Sequence, residues 1–416
     1  MTGSAGAAAG SADLDGLRAW LVERGLDGVP LADLLEGFCL RLVALGIPLA
    51  RGHMSIATLH PQLRAFGVNW KDGALTDPTR FAHGHADGPA WKQSPFRHMV
   101  ENGILEMHRR LAGPGAQLDY PVLREFAADG YTGWIGYAFG FGWNQRTGPQ
   151  DQLGLICSWT TRAAGGWTDQ QRRVVAELAA LFALAVKASA AHGITRDLLT
   201  TYLGRDAADR VIAGHVRRGG LRHIKACILY ADLRGFTDFA DRTAAPAAVA
   251  HLNECLERMG GPVIERGGEI LKFMGDAMLA VFLHDAAPGA APGAASVHAA
   301  TLDAAAEILA RIAALGRPRP GAPAAATPAL SVDIALHDGE VLYGNVGTPE
   351  RLDFTVIGPA VNEAARMEAL CPALDTNLVI SDSFRRAAGP HGRDLVSLGR
   401  HPLRGVREPR EIFTRR

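Results

Sequence analysis

Apolar positions recur at spacings of three and four over residues 28–45, where Leu31, Leu34, Leu35, Phe38, Leu42 and Leu45 fall on one face. That spacing predicts an amphipathic helix. Past Gly46 and Pro48 the period drops to two: MSIATLH and LRAFGVNW alternate around His60 and Pro61 and predict an antiparallel pair of strands. A helical stretch around SPFRHMVENG, the segments EMHRRL and YPVLREFAADG, and the Gly- and aromatic-rich WIGYAFGFGW follow, and DQLGLICSWTT reads as a further strand. Thr168 and Gln171 have capping-box spacing, and Val174, Val175, Leu178, Leu181, Phe182 and Ala185 extend them as the apolar stripe of an exit helix from Thr168 to about His192. Residues 28–190 therefore read as one α+β domain with a sensor-like order of elements.

Residues 191–221 read as a helical connector, interrupted at Gly204, Gly214 and Gly219-Gly220. Its apolar positions Leu198, Leu199, Tyr202, Leu203 and Val211 are too regularly spaced for a free tether and suit helices that stack as a pair in a dimer, with a solvated linker as the alternative. Further on, HDAAPGAAPGAAS and GRPRPGAPAAATP flank a helix expected over about 297–315, and both read as surface loops.

Composition narrows the function classes. The 416 residues carry 43 Lys+Arg against 43 Asp+Glu, so net charge is zero and no global electrostatic footprint for nucleic acid exists. Length suggests two to three domains at about 150 residues each. The longest apolar run, 174–186, is interrupted by Glu177 and falls short of the roughly 20 residues a membrane helix needs. The start MTGSAGAAAGSA lacks a basic region followed by an apolar core, so residues 1–27 are expected as a disordered tail and the protein as cytoplasmic. Cys39, Cys157, Cys227, Cys255 and Cys371 show no CxxC pairing and are expected as buried thiols, neither a disulfide framework nor a zinc site.

Candidate chemistry begins at residue 224. IKACILYADLRGFTDFADR is a β-branched-rich strand ending in Asp232, a turn at Gly235 and a helix starting near Thr237. A carboxylate there can hold Mg²⁺, while backbone N–H groups around Gly235, Phe236 and Thr237 face phosphate oxygens. GGEILKFMGDAMLAVF reads as a hairpin with strands 269–273 and 277–282 and Asp276 in its turn. Two strand-end acids on neighbouring strands converge as a two-metal site requires. LDFTVIGPAVNEAARMEAL is a strand, a Gly358-Pro359 entry and a helix that presents Asn362 and Arg366 on one face at i and i+4. SVDIALHDGEVLYGNV reads as a second hairpin.

Taken together, these segments resemble the class III nucleotidyl (adenylate) cyclase catalytic domain over residues 222–416. The resemblance implies a ferredoxin-like α+β fold and two Mg²⁺ (or Mn²⁺) per site on Asp232, Asp276 and the Leu233 carbonyl. It implies that Asn362 and Arg366 act on the ribose and the α-phosphate, and that Arg404 serves the terminal phosphates. Lys272 falls where the family reads the base, and an ammonium donates to adenine N1 but not to guanine N1. Thr355, seven residues before Asn362, stands where many adenylate cyclases have Asp, and Lys with Thr resembles the subset stimulated by bicarbonate. Because both residue sets lie in one chain, the resemblance implies a homodimer that converts ATP to 3′,5′-cyclic AMP and pyrophosphate. Guanylate cyclase and a catalytically silent nucleotide-binding regulator are the alternatives.

The preceding region, ending in GLICSWTTRAAGGWTDQQRRVVAELAALFALAVKA, resembles a GAF domain, a small-ligand sensor. Cys157, His53, His60, Trp134, Tyr137, Phe139, Phe141 and Trp143 are candidates to line a cofactor pocket there, although such residues on strands are more often core.

Overall fold

The computed structural model describes residues 3–58, 63–82, 88–142, 154–284, 296–315 and 330–415. They divide into two compact units, Met1–Leu198 and Leu199–Arg416. His60, Trp143 and both Ala/Pro/Gly-rich tracts lie outside the described residues, apart from His284 and Ser296 at the edges of the first tract.

The N-terminal unit opens on α1 (Gly3–Asp27) and α2 (Leu31–Ala44), so the expected disordered tail is corrected to a helix. The alanine-rich start suits a helix, and Leu14, Leu17 and Leu21 bring its second half onto the core, with Leu17 and Leu21 buried. The strands are β1 (Leu49–Ala57), β2 (Leu63–Lys71), β3 (Ala74–Leu75), β4 (Thr79–Ala82), β5 (Glu106–Arg110), β6 (Gly133–Gly140) and β7 (Gly154–Thr161). They form one antiparallel sheet in the order β3-β2-β1-β7-β6-β5, with β4 on β2, and β1 and β2 pair as expected, Met54 opposite Val68. Short helices α3 (Pro89–Lys92), α4 (Pro95–Glu101) and α5 (Pro121–Ala128) stand between the outer strands.

The last helix of this unit, α6 (Asp169–Leu203), begins with the reciprocal cap. Thr168 N–H donates to Gln171 Oε1 at 3.0 Å, and Gln171 N–H donates to Thr168 Oγ1 at 3.2 Å. It runs on without a break at His192 and stops only at Gly204, whose φ of 89° is left-handed. It is long and apolar enough to cross a membrane, yet half of its most apolar stretch is buried in the protein. Val175, Leu178, Phe182 and Val186 pack there with α2 and the sheet. Phe38, Trp159 and Phe182 form a ring cluster with centroids 4.6 to 5.6 Å apart.

The C-terminal unit contains α7 (Arg205–Ile212), β8 (Leu221–Arg234), α8 (Phe236–Asp241), α9 (Ala245–Glu265), β9 (Glu269–Met274), β10 (Ala277–Leu283) and α10 (Val297–Leu315). These lead to β11 (Ser331–Gly347), β12 (Leu352–Ile357), α11 (Pro359–Glu368), β13 (Leu378–Ser381), α12 (Asp382–Ala387), β14 (Leu395–His401) and β15 (Arg410–Arg415). The sheet order is β14-β15-β13-β11-β8-β10-β9, with β12 on β11. Its β11-β8-β10-β9 part, with α9 and α10 as crossovers, is the ferredoxin-like βαββαβ arrangement. Cys227, Leu229, Ala231 and Leu233 of β8 face α9 and α10, whereas Ala226 and Ile228 face α7, β12 and α11.

The segment expected as a second hairpin is instead one strand, β11, in unbroken register with β8 from Ser331 opposite Arg234 to Gly344 opposite Leu221. A tight hairpin at Asp338-Gly339 needs positive φ, and Gly339 does not have it. Its missing side chain serves packing, because a Cβ there would stand 2.7 Å from that of Ala360 on α11.

Candidate active site

Asp232 is the third residue from the C-terminal end of β8, with Ala277 directly opposite on β10 and Asp333 directly opposite on β11. Asp276 precedes Ala277, in the turn that Gly275 makes possible with φ 69°. The two acids singled out in the sequence therefore lie at the same end of the adjacent strands β8 and β10, Asp232 within β8 and Asp276 just before β10. Leu233 buries its side chain on the helical face, which leaves its main chain for the site. Gly235, with φ 85°, turns the chain into α8, where Phe236 packs on the core and Thr237 is exposed.

Two further acids join them, and both escaped the sequence reading. Asp333 is buried and is neutralised by Arg234, whose Nε and Nη2 donate to its oxygens at 2.8 and 2.7 Å, while Asn377 Nδ2 donates at 2.8 Å. Glu368, at the end of α11, lies near enough to feel Asp232, Asp333 and Asp276. Burial, then repulsion by Asp276 and Asp333, pushes the Asp232 carboxyl up to about 6. Burial, then Asp232 and Asp333, pushes Glu368 up to about 7. Arg234 is engaged with Asp333, so negative charge is in excess, and a cluster of oxygen donors in that condition suits a hard divalent cation. Only the register of β11 against β8 reveals Asp333, and only the packing of α11 brings Glu368, its last residue, to the other acids.

Asn362 and Arg366 occupy α11 as expected, Asn362 exposed and Arg366 half-buried. Glu368 stands two residues past Arg366, about 200° around the helix, so the acid cluster and the Asn/Arg pair belong to opposite faces of α11. The Arg366 guanidinium lies beside Gly405, next to exposed Arg404, so these two cations share one end of the fold. Lys272 on β9 reaches β12, where its Nζ donates to Asp353 Oδ2 at 2.6 Å. Thr355 is two residues beyond Asp353 and shares its side of the strand. Asp353, held below the usual carboxylate range by the hydrogen bond from Lys272, is the partner that the sequence reading missed. A cavity of about 740 Å³ bounded by His337, Glu363, Arg386 and Arg410 includes neither the acids nor Lys272.

Residues 221–414 match the family model described as the adenylate and guanylate cyclase catalytic domain. The C-terminal unit is a cyclase catalytic domain of this family. The chain has curated relatives: an adenylate cyclase of Anabaena cylindrica is 35% identical over 159 residues, 38% of this chain and 30% of that protein. An uncharacterized protein of Mycobacterium tuberculosis is 31% identical over 219 residues, 52% of this chain and 37% of that one. The chain thus spans about a third of the length of these relatives. Among solved structures, a bacterial light-regulated adenylyl cyclase is 25% identical with TM-score 0.39, covering 46% of this chain and 90% of that one. A guanylyl cyclase is 25% identical with TM-score 0.37, covering 46% and 92%.

Among the described candidate pocket residues of the N-terminal unit, four are core. Cys157, Trp134, Tyr137 and Phe141 are buried, and Phe139 stacks on Tyr137 at 5.9 Å. His53 Nδ1 lies 2.9 Å from Asn69 Oδ1, and burial, then the Arg51 charge, lowers its imidazole to about 4, so it is neutral.

Proposed function

We propose that the chain is an adenylate cyclase that converts ATP to 3′,5′-cyclic AMP and pyrophosphate. The observation that carries this reading is the repelled cluster of Asp232, Asp276 and Glu368 in a domain of the cyclase family. Asp232, Asp276 and the Leu233 carbonyl are the groups to hold two Mg²⁺ or Mn²⁺, which would make the ribose 3′-hydroxyl more acidic and offset triphosphate charge. In the reaction a bond forms from O3′ to the α-phosphorus, the bond from the α-phosphorus to the bridging oxygen breaks, and the hydroxyl proton passes to water. Asn362 orients the ribose, Arg366 holds the α-phosphate oxygen on which charge accumulates, and Gly235, Phe236, Thr237 and Arg404 contact the phosphates.

Lys272 donates to adenine N1, and Thr355 accepts from the 6-amino group. Guanylate cyclase is the second reading, favoured by one feature: the Asp353 carboxylate, beside Lys272, could accept from the guanine N1–H. Incubating the purified chain with ATP or GTP and Mg²⁺ or Mn²⁺, and measuring cyclic nucleotide and pyrophosphate, separates the two; no product from either would support a silent regulator.

Asn362 and Arg366 lie on the face of α11 away from the acids of the same chain, which supports a homodimer in which each site takes its acids from one protomer and its Asn/Arg pair from the other. The N-terminal unit, with its helix-flanked antiparallel sheet, is proposed as a GAF-like sensor of a small molecule that regulates a cytoplasmic enzyme. Stimulation by bicarbonate belongs to the same proposal, and is tested by turnover with and without bicarbonate. Turnover of the full chain against one lacking residues 1–190 tests the regulation.

A further inference from the structure

Cys227 and Asp338 are directly opposed on β8 and β11, His284 follows β10, and His298 lies in the first turn of α10. Four segments far apart in sequence thus deliver one thiol, two imidazoles and one carboxylate to a single point. Their ligand atoms all lie within 4.8 Å of one another. Both imidazole Nε2 atoms converge on one carboxylate oxygen, Asp338 Oδ2, at 2.6 Å from His284 and 2.9 Å from His298. Cys227 Sγ stands 3.7 Å from that oxygen and 3.8 Å from His284 Nε2.

We propose that Cys227, His284, His298 and Asp338 form a structural site for one Zn²⁺, separate from the candidate active site. Zinc takes nitrogen and oxygen at about 2.0 to 2.2 Å and sulfur at about 2.3 Å, so the edges of a tetrahedral set measure roughly 3.3 to 3.6 Å. The sulfur edges to Asp338 and His284 are close to that length already, and the two imidazole–carboxylate edges need to open by about half an ångström to admit the ion. The donor set of two neutral imidazoles, a thiolate and a carboxylate selects zinc over Mg²⁺, which prefers oxygen. Zn²⁺ with one thiolate and one carboxylate is neutral overall, which suits a site where Cys227, His298 and Asp338 are buried. His284 is half-buried and marks the way in.

Surrounding groups hold the ligands in place. Ser383 Oγ donates to the Asp338 carbonyl at 2.8 Å, Lys225 Nζ lies 3.6 Å from Asp338 Oδ1, and the His298 ring packs edge-on against Phe384 at 5.1 Å. Asp232 is five residues along β8, about 17 Å away, and on the opposite face of the sheet. The role is therefore to tie β8, β10, β11 and α10 together at the far end of the cyclase core. All five cysteines are free and buried, as expected; the zinc site adds a ligand role for Cys227 that the lack of CxxC spacing had argued against.

The test is metal analysis of the full-length chain purified without chelator or a metal-affinity step, as wild type and as the Asp232→Ala/Asp276→Ala double variant. One equivalent of zinc per chain is expected in both, and His284→Ala should weaken retention against a competing chelator at least about tenfold. Loading with Co²⁺ should give a thiolate-to-cobalt charge-transfer absorption that Cys227→Ser abolishes. If Cys227→Ser does not fold, the wild-type band and the His284→Ala competition decide. Zinc below about a tenth of an equivalent after loading, zinc lost in the double variant, a wild type without the cobalt band, or unchanged retention in His284→Ala would each overturn the site and leave a hydrogen-bonded His–Asp–His cluster.

Discussion

Asp232 and Glu368 are carboxyls that the fold makes reluctant to ionise, at about 6 and about 7. A carboxyl raised on folding stabilises the native state when protonated. Its contribution is complete below the unfolded value near 4 and is lost as pH rises through the folded value. Chelated protein should therefore lose unfolding temperature between about pH 4 and pH 7.5, and Glu368→Gln should lose less. Mg²⁺ should restore the wild type at pH 7.5 by offsetting the same repulsion. Superimposable pH profiles for wild type and Glu368→Gln would show that the acids do not interact. A second residue-scale prediction concerns the base. Lys272→Glu with Thr355→Cys inverts the donor and acceptor pattern, and a buried mismatch costs about 1 to 3 kcal/mol. The ATP-to-GTP ratio of kcat/KM should fall by tenfold or more, and an unchanged ratio would remove Lys272 from base reading. Asp232, Asp276, Asn362 and Arg366 were readable because each sits at a strand end, a turn or a helix face whose spacing is local, whereas Lys272, inside β9, was singled out by the family resemblance alone. Asp333, Asp353 and the Cys227–His284–His298–Asp338 cluster were not, since only pairing between distant strands brings them to their partners.

At the scale of elements, the reciprocal bonds of Thr168 and Gln171 start the 35-residue α6, whose buried stripe closes the N-terminal core. Thr168→Ala should cost about 1 kcal/mol, read as a lower denaturant midpoint for that unit with an unchanged slope. No shift would mean that Phe182 and its neighbours hold the helix start without the cap. This helix, α2 and the β1–β2 pair were legible because their apolar periods are clean. Two elements were misread for opposite reasons. The start of α1 is alanine- and glycine-rich with no apolar face to recognise, whereas β11 contains Asp338-Gly339, a turn signal that tertiary packing overrides. Gly339 is needed where α11 approaches the strand, so its missing Cβ serves packing instead of a turn.

For the whole molecule, the deciding question is whether one protomer can complete a site. Asp232 and Asp276 lie at one end of β8 and β10, while Arg366 lies beside Gly405 on the face of α11 away from Glu368. If two protomers share each site, Asp232→Ala and Arg366→Ala should each be inactive alone as homodimers. Mixing them creates a heterodimer in which one interface combines intact acids from the Arg366→Ala chain with the intact Asn/Arg pair of the Asp232→Ala chain. The other interface lacks both and stays silent. With random pairing half of the dimers are mixed and each carries one working site, so activity should recover to about a quarter of wild type per chain. Mixed dimers isolated with two different tags fix the denominator. Their inactivity would overturn the shared site while leaving the acid cluster as a cation site, and full activity in either homodimer would remove that residue from the reaction.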